Sequence, residues 1–247
     1  MDNNYYENNN KNETIINGQV YQSADYTTVQ ANDQVTLFTK VFGWMFAGLL
    51  VTAFCAMFGQ NLFLNIIVQA PTLIGVLFLV EFGLVMLISS RVNKMSFGGA
   101  MAAFFLYSAI NGLTLSIIFF AYTTGTIYSA FGITAVVFGA MALIGTVTKK
   151  DLSSVGSLAR MALIGLIVAS VANIFLASDG LSWAVTYIGV LVFVALTAYD
   201  VQKIKKLSET GAYNTNQMAI LGALILYLDF INLFIKILRI LGRKSSK

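Results

Sequence analysis

The chain has no histidine, one cysteine and one proline among its 247 residues. The lack of histidine excludes Ser-His, Cys-His and His-metal sites, so any group that responds to protons near neutrality has to be a carboxylate. The single cysteine, Cys55, excludes disulfide frameworks and cysteine-based metal sites, and we expect it to pack as a small apolar side chain. The single proline, Pro71, lies between two apolar runs, so no run contains a proline kink.

Charge is also scarce, since 11% of the residues are charged and 57% are hydrophobic, with a mean hydropathy of +0.77. Soluble proteins have about 25% charged residues. The composition therefore predicts a membrane protein with several spans. The isoelectric point near 9.1 is also typical of nucleic-acid binders. We exclude a nucleic-acid partner because the basic residues form short clusters between apolar runs, which is the pattern of membrane topology.

Seven apolar runs define the predicted domain organisation. Residues 1–34 are polar and rich in asparagine, and we expect a disordered cytoplasmic tail there. A seven-helix membrane domain is predicted over 35–243 and a short basic tail over 244–247. Each run can cross or nearly cross about 30 Å of hydrocarbon as a helix, and none alternates as a barrel strand would. The runs lie at residues 36–58, 72–90, 97–121, 126–147, 161–178, 182–206 and 218–241. The predicted fold class is an all-α integral membrane bundle.

Lysine and arginine occur in alternate loops only, which predicts the orientation. The loops after the first, third and fifth runs contain none, whereas the loops after the second, fourth and sixth contain eight. These eight are Arg91, Lys94, Lys149, Lys150, Arg160, Lys203, Lys205 and Lys206. The positive-inside rule places these loops and the N-terminus in the cytoplasm.

The last run conflicts with this pattern. Seven crossings place the C-terminus outside, yet the C-terminal stretch is basic, with Lys236, Arg239, Arg243, Lys244 and Lys247. Either the upstream loops override this cluster, or the last run does not fully cross. We favour a full crossing, with Lys236 and Arg239 extending toward the far headgroups.

Four ionisable residues lie in or at the edges of the apolar runs, and such residues are functional candidates by default. If the sixth helix continues to about residue 211, Asp200 and Asp229 are each about 16 Å from the intervening turn and so lie level on neighbouring helices. Arg91 lies at a similar depth at the inner end of the second helix. Glu81 lies about 15 Å further in.

Two carboxylates held together in a medium of low dielectric tend to share a proton, and a cation such as Arg91 opposes this. The pair would hold its helices together when protonated, and would repel or bind a cation when deprotonated. Carboxylates are also the ligands that Ca²⁺ prefers, so Asp200 and Asp229 are candidate Ca²⁺ ligands. The alternative is an aspartate that only hydrogen-bonds a backbone or hydroxyl group for packing.

At these residues the sequence resembles the Bax inhibitor family (TMBIM-type proteins), most closely its bacterial YccA-like branch. The resemblance covers about residues 35 to 243. The segments that carry it are TKKDLSSVGSL (148–158), AVTYIGVLVFVALTAYDVQKIK (184–205), ALILYLDFINLFIKILRILG (223–242) and AINGLTLSIIFFAYT (109–123).

The resemblance implies a bundle in which six helices surround a central seventh. It implies that Asp200 and Asp229 are the paired aspartates of a pH-sensing latch, tied in bacterial members to a pH-dependent Ca²⁺ leak. Arg91 would be the cation partner of the latch, and Glu81 a pore-lining acid. The implied location is the bacterial inner membrane.

Two functions follow from these observations. The first is a cation pathway, for Ca²⁺ or another cation, gated by the aspartate pair. The alternative is a non-transporting regulator that binds a membrane protease or a stress-response partner. We do not expect an enzyme or a cofactor. Membrane aspartyl proteases need a glycine beside the second aspartate, and here Tyr227 and Leu228 precede Asp229. A retinal protein using Lys236 is disfavoured because that lysine lies toward the end of its run, one turn from Arg239.

Overall fold

The computed structural model describes residues 6–7, 13–16, 19–209 and 215–245. Its strands are β1 (Tyr6–Glu7), β2 (Glu13–Ile16) and β3 (Gln19–Gln22). Its helices are α1 (Ser23–Phe58), α2 (Gln60–Gln69), α3 (Thr72–Arg91), α4 (Phe97–Leu115), α5 (Ile118–Ala121), α6 (Thr124–Val147), α7 (Ser153–Leu176), α8 (Asp179–Glu209) and α9 (Thr215–Ser245).

The region predicted to be a disordered tail begins with a small antiparallel sheet, in the order β1-β2-β3, with Thr14 opposite Tyr21. Helix α1 begins at Ser23, earlier than the apolar run that starts at residue 36. The described part of this segment therefore has regular backbone structure. Its disorder in solution stays a prediction.

Seven helical segments of the described chain are long and apolar enough to cross a membrane, as the sequence predicted. They are Thr36–Phe58, Thr72–Arg91, Phe97–Ala121, Thr124–Val147, Ser153–Leu176, Asp179–Leu207 and Asn216–Gly242. The third combines α4 and α5, which meet at a turn where the Ser116 hydroxyl donates to Leu113 O (2.6 Å).

The start of the fifth span was predicted incorrectly. It begins at Ser153, not at residue 161, because Asp151 accepts hydrogen bonds from the backbone nitrogen (3.0 Å) and hydroxyl (2.7 Å) of Ser153 where the helix starts. Arg160, which the predicted start of the run leaves in a loop, is therefore inside α7. The loop predicted over 59–71 was also wrong in part, because it contains the ten-residue helix α2.

The three basic loops meet at one end of the bundle, here called the basic end. The Gln202 amide donates to the backbone oxygen of Lys150 (2.8 Å), which joins α8 to the connection between α6 and α7. The Gln217 amide donates to the backbone oxygen of Met95 (2.9 Å), which joins the start of α9 to the connection after α3. The side of the membrane that the basic end faces stays a prediction. Part of the turn expected after about residue 211, between the sixth and seventh spans, lies outside the described residues.

Helix α9 runs the length of the bundle to the opposite end, here called the far end. Gly242 packs against the ring of Tyr122, which follows α5, and Arg239 donates to the hydroxyl of Ser182 near the start of α8. The helix is continuous over its 31 residues and does not turn back. This geometry fits a full crossing.

Helix α9 is also the most buried span. Within its most apolar stretch 72% of residues are buried, against 11% in α3 and in α7. It packs against α1, α3, α4, α6 and α8. Close approach elsewhere depends on glycine: a side chain at Gly145 would collide with the backbone of Ala198, so α6 and α8 pack almost backbone to backbone. That all six other spans surround the seventh stays a prediction.

Candidate functional site

The structure brings Asp200 of α8 and Asp229 of α9 together, with their carboxyl groups within hydrogen-bonding reach of each other. Asp229 is 5% exposed, whereas Asp200 is half-buried. Within the described part of the chain, Oδ2 of Asp229 is buried and has no hydrogen-bond partner. A buried acceptor without a partner is costly, and an ionised one more so. The pair therefore favours a shared proton or a bound cation.

The pair lines a cavity of about 560 Å³. Helices α3, α4, α7, α8 and α9 form the walls of the cavity. Of these, α3 and α7 are the two least buried spans. Its polar lining residues are Glu81, Tyr107, Arg160, Asp200, Asp229 and Asn232. At about 1.5 Å per residue, Arg160 and Asp200 lie roughly 10–14 Å from the basic end. Arg160 and Asp200 therefore lie in the half of the bundle nearer the basic end, whereas Glu81 lies near the middle of α3, about 15 Å from Arg91.

Arg91, the predicted cation partner of the pair, is not among the residues that line this cavity. Its side chain is exposed at the last residue of α3. Arg160 lines the cavity instead, with its guanidinium 5.0 Å from the centre of the Tyr199 ring, next to Asp200 on α8. Arg160 therefore shares the cavity with the pair, and Lys203, one turn from Asp200 on α8, is a second cation near it. Arg160 was not a candidate from the sequence because the predicted apolar run begins at residue 161, which leaves Arg160 in a predicted loop.

Glu81 lies in the same cavity and is 8% exposed. Its Oε1 accepts a hydrogen bond from the hydroxyl of Thr114 (2.9 Å). The side chain of Asn111 is also within hydrogen-bonding reach of it. Glu81 therefore lines the cavity and is held in place by two side chains of α4, and its role as a pore-lining acid stays a prediction.

A chain of buried hydrogen bonds continues from Glu81 to the opposite face of α9. The hydroxyl of Tyr227 donates to Oδ1 of Asn111 (3.0 Å), and it lies 2.6 Å from the hydroxyl of Thr52 on α1. The hydroxyl of Thr52 also lies 2.9 Å from the backbone oxygen of Ser108. Sequence reasoning missed these residues because uncharged polar side chains in an apolar run give no signal comparable to that of an aspartate.

The arrangement offers few ligands for a tightly held metal. Among the described residues, no three carboxylate or thiol groups converge. Ca²⁺ takes 6–8 oxygen ligands, and the pair supplies two carboxyl groups, with the Asn232 side chain in the same cavity. Water would have to provide the remaining ligands, which favours transient contact with a hydrated cation.

Comparison with known proteins agrees with this architecture. The sequence profile of the family described as "Inhibitor of apoptosis-promoting Bax1" matches residues 34–246. The chain belongs to the Bax inhibitor family. This confirms the family resemblance that the two aspartate-bearing segments carried.

The match to this chain covers nearly the whole length of each relative. Inner membrane protein YbhL of Escherichia coli (strain K12) is 49% identical over 220 residues, covering 85% of this chain and 92% of its own. An uncharacterized protein of Borreliella burgdorferi is 44% identical over 84% of this chain and 91% of its own. The chain is therefore a Bax inhibitor family membrane protein that covers more than nine-tenths of the length of each of these two relatives. Its place in the YccA-like branch stays a prediction.

Proposed function

We propose that this protein is a pH-sensitive pathway for Ca²⁺ or another cation, gated by the Asp200–Asp229 pair. One observation carries the proposal: two carboxyl groups from consecutive spans meet in a cavity, and one buried oxygen of Asp229 has no partner among the described residues. A site with an unmet hydrogen bond changes state when a proton or cation arrives.

Protonation acts on the contact between α8 and α9. With one shared proton, the two carboxyl groups hydrogen-bond and hold the helices together. Without it, the two anions repel at low dielectric until a cation enters or the helices separate. Two cations lie near the pair, Arg160 in the cavity wall and Lys203 one turn from Asp200, and both attract the anions when the proton is absent.

The cavity walls allow such a change. Helix α3 has few buried residues and packs mainly against α4, so displacing it breaks few packing contacts. Glu81 on α3 supplies a further carboxyl group for a cation that has passed the pair. We place the protein in the bacterial inner membrane, consistent with the name of its Escherichia coli relative.

The test is Ca²⁺ influx into proteoliposomes across a range of pH. The wild type should show a flux that changes with pH. Asp200→Asn and Asp229→Asn replace a carboxyl group by an amide of the same shape that cannot ionise. Each variant should show, at every pH, the flux that the wild type shows when the pair is protonated.

The control is Asp151→Asn, which makes the same chemical change at an exposed acid of the basic end. It should keep the pH dependence of the wild type. An unchanged pH dependence in both pair variants would show that the pair is not the gate.

The alternative function is a non-transporting regulator of a membrane protease or a stress-response partner. It stays a prediction. Purification in mild detergent, with and without residues 1–34, tests it. A stable co-purifying membrane protein together with no cation flux would favour this alternative.

We propose no catalytic step. Helix α9 is continuous through Asp229, and this supports the proposal because a membrane protease needs locally unwound backbone to admit a peptide. Incubation with unfolded membrane peptides followed by mass spectrometry should give no cleavage products.

A further inference from the structure

The far end of the bundle contains two basic side chains that the proposed cation pathway does not use. Lys236 and Arg239 lie one turn apart on α9 and are both half-buried. The only salt bridge between described residues, Lys206 to Asp151, is at the basic end. Two like charges on one helix face repel, and half-burying them without an acid partner is unfavourable. An anion from outside the chain would offset that cost.

The two side chains are held in place. The stem of Lys236 lies across Gly189 of α8, where even a methyl group would come within 2.9 Å of its Cε. The guanidinium of Arg239 donates to the hydroxyl of Ser182 and lies 5.5 Å from the centre of the Trp183 ring. Both charged groups are therefore positioned by α8, which reduces the entropy lost on binding a ligand.

The depth of the cluster indicates the kind of anion. Lys236 and Arg239 lie within the last two turns of the span that ends at Gly242, where headgroups meet hydrocarbon. Trp183 packs at a tilted angle against Tyr187, with 5.8 Å between ring centres, and such aromatic residues mark the interfacial layer. An arginine fork and a lysine ammonium together suit a phosphate group.

We propose that Lys236 and Arg239, positioned by Gly189, Ser182 and Trp183, bind the phosphate of an anionic phospholipid at the far end of the bundle. The site is independent of the cation pathway. It also gives a physical reason for basic residues at the end where the positive-inside rule predicts few, because the lipid phosphate neutralises them.

The test is lipid binding by the full-length purified protein, measured by native mass spectrometry with phosphatidylglycerol and with phosphatidylcholine. The wild type should retain phosphatidylglycerol in preference to phosphatidylcholine. The variant Lys236→Met/Arg239→Gln keeps an apolar stem over Gly189 and removes both charges. Its affinity for phosphatidylglycerol should fall roughly tenfold or more.

The matched control is Lys149→Gln/Lys150→Gln, which removes two exposed charges at the basic end. It should bind phosphatidylglycerol as the wild type does. If the far-end variant does not purify, Lys236→Met alone and the charge-preserving Lys236→Arg replace it, with loss expected only in the first. Equal binding in the wild type and the charge-removing variant, or equal retention of the two lipids by the wild type, would overturn the proposal.

A competition arm identifies the source of the phosphate. If millimolar inorganic phosphate leaves the bound phosphatidylglycerol in place, the ligand is the lipid. If inorganic phosphate displaces the lipid and binds with the same dependence on Lys236 and Arg239, the site takes soluble phosphate, and the lipid assignment is overturned.

Discussion

Two buried carboxyl groups line one cavity in this protein, and their surroundings differ. Glu81 is 8% exposed and accepts a hydrogen bond from Thr114. Asp229 is 5% exposed, and one of its oxygens has no partner among the described residues. The two side chains are similarly buried but differ in their hydrogen bonds. Glu81 has a donor in Thr114, whereas Asp229 needs a proton, a cation or a movement of its helix to satisfy its free oxygen. The difference explains why we assign the gate to the pair and only a lining role to Glu81.

The largest expected effect is that of Asp229→Asn on stability at alkaline pH. A second buried negative charge beside Asp200 is unfavourable, and the amide removes it. The variant should be more stable than the wild type by about 3 kcal/mol at alkaline pH and nearly equal to it at acidic pH. The measurement is the free energy of unfolding in detergent across pH.

Glu81→Gln is the comparison for that experiment. Its side-chain oxygen still accepts from Thr114, so the pH dependence of the free energy of unfolding should change less than in Asp229→Asn. A loss of pH dependence in Glu81→Gln, with none in Asp229→Asn, would reverse the assignment of the two acids.

The second effect concerns the neighbours that fix Glu81. Thr114→Val keeps the shape of the side chain but removes the donor to Glu81 Oε1. Leaving a buried acceptor without that bond should lower the free energy of unfolding by about 2 kcal/mol. Thr134→Val is the control, since the hydroxyl of Thr134 bonds only to Ala130 O of its own helix (2.7 Å), and it should cost less. Equal costs would mean that Thr114 does not support Glu81.

The third effect tests the buried chain on the other side of α9. Tyr227→Phe removes the hydroxyl that contacts Asn111 and Thr52, while the ring can keep its contacts with Phe104 and Tyr107. We expect a loss of about 1 kcal/mol in the free energy of unfolding, the usual scale for one buried hydrogen bond. Because Tyr227 is outside the cavity lining, the pH dependence of cation flux should not change. A changed pH profile would extend the gate to this residue.

The smallest effect is expected at the surface. Hydrogen bonds from Lys206 and from Ser153 hold the pKa of Asp151 below its ordinary value. A lowered pKa in the folded protein stabilises it above the pKa of the unfolded chain, and that contribution is lost as pH falls through the folded value. Because Asp151 is exposed, Asp151→Asn should change the melting temperature little, and less at high salt. A large shift in melting temperature would show that the contact between α8 and the start of α7 matters more than its exposure suggests.

Much of the architecture was predictable from the sequence because hydrophobic length has a direct physical meaning in a bilayer. Runs such as 72–90 and 97–121 correspond to spans at Thr72–Arg91 and Phe97–Ala121. The error at the fifth span has the same origin. A polar start with three serines, a glycine and Arg160 lowers the apolar signal, yet the backbone there is helical from Ser153.

The polar contacts were harder to predict. Spacing pointed to Asp200 and Asp229 as neighbours because charges in apolar runs are conspicuous. Asn111, Thr114 and Tyr227 carry no charge, and only their contacts show what they do.

The sequence alone determined the class of the protein, the number of its spans and the acids that have to be explained, because each depends on composition and length along the chain. Its family followed from the resemblance of whole segments. The tertiary structure alone decided which partners the charged side chains meet: Arg160 in the cavity of the aspartate pair, Thr114 at Glu81, and Ser182 and Trp183 at Arg239. The physical reason is that the rotation and tilt of each helix are set by packing against its neighbours. A shift of one residue turns a helical side chain by about 100°, so distance along the chain does not determine which helix it faces.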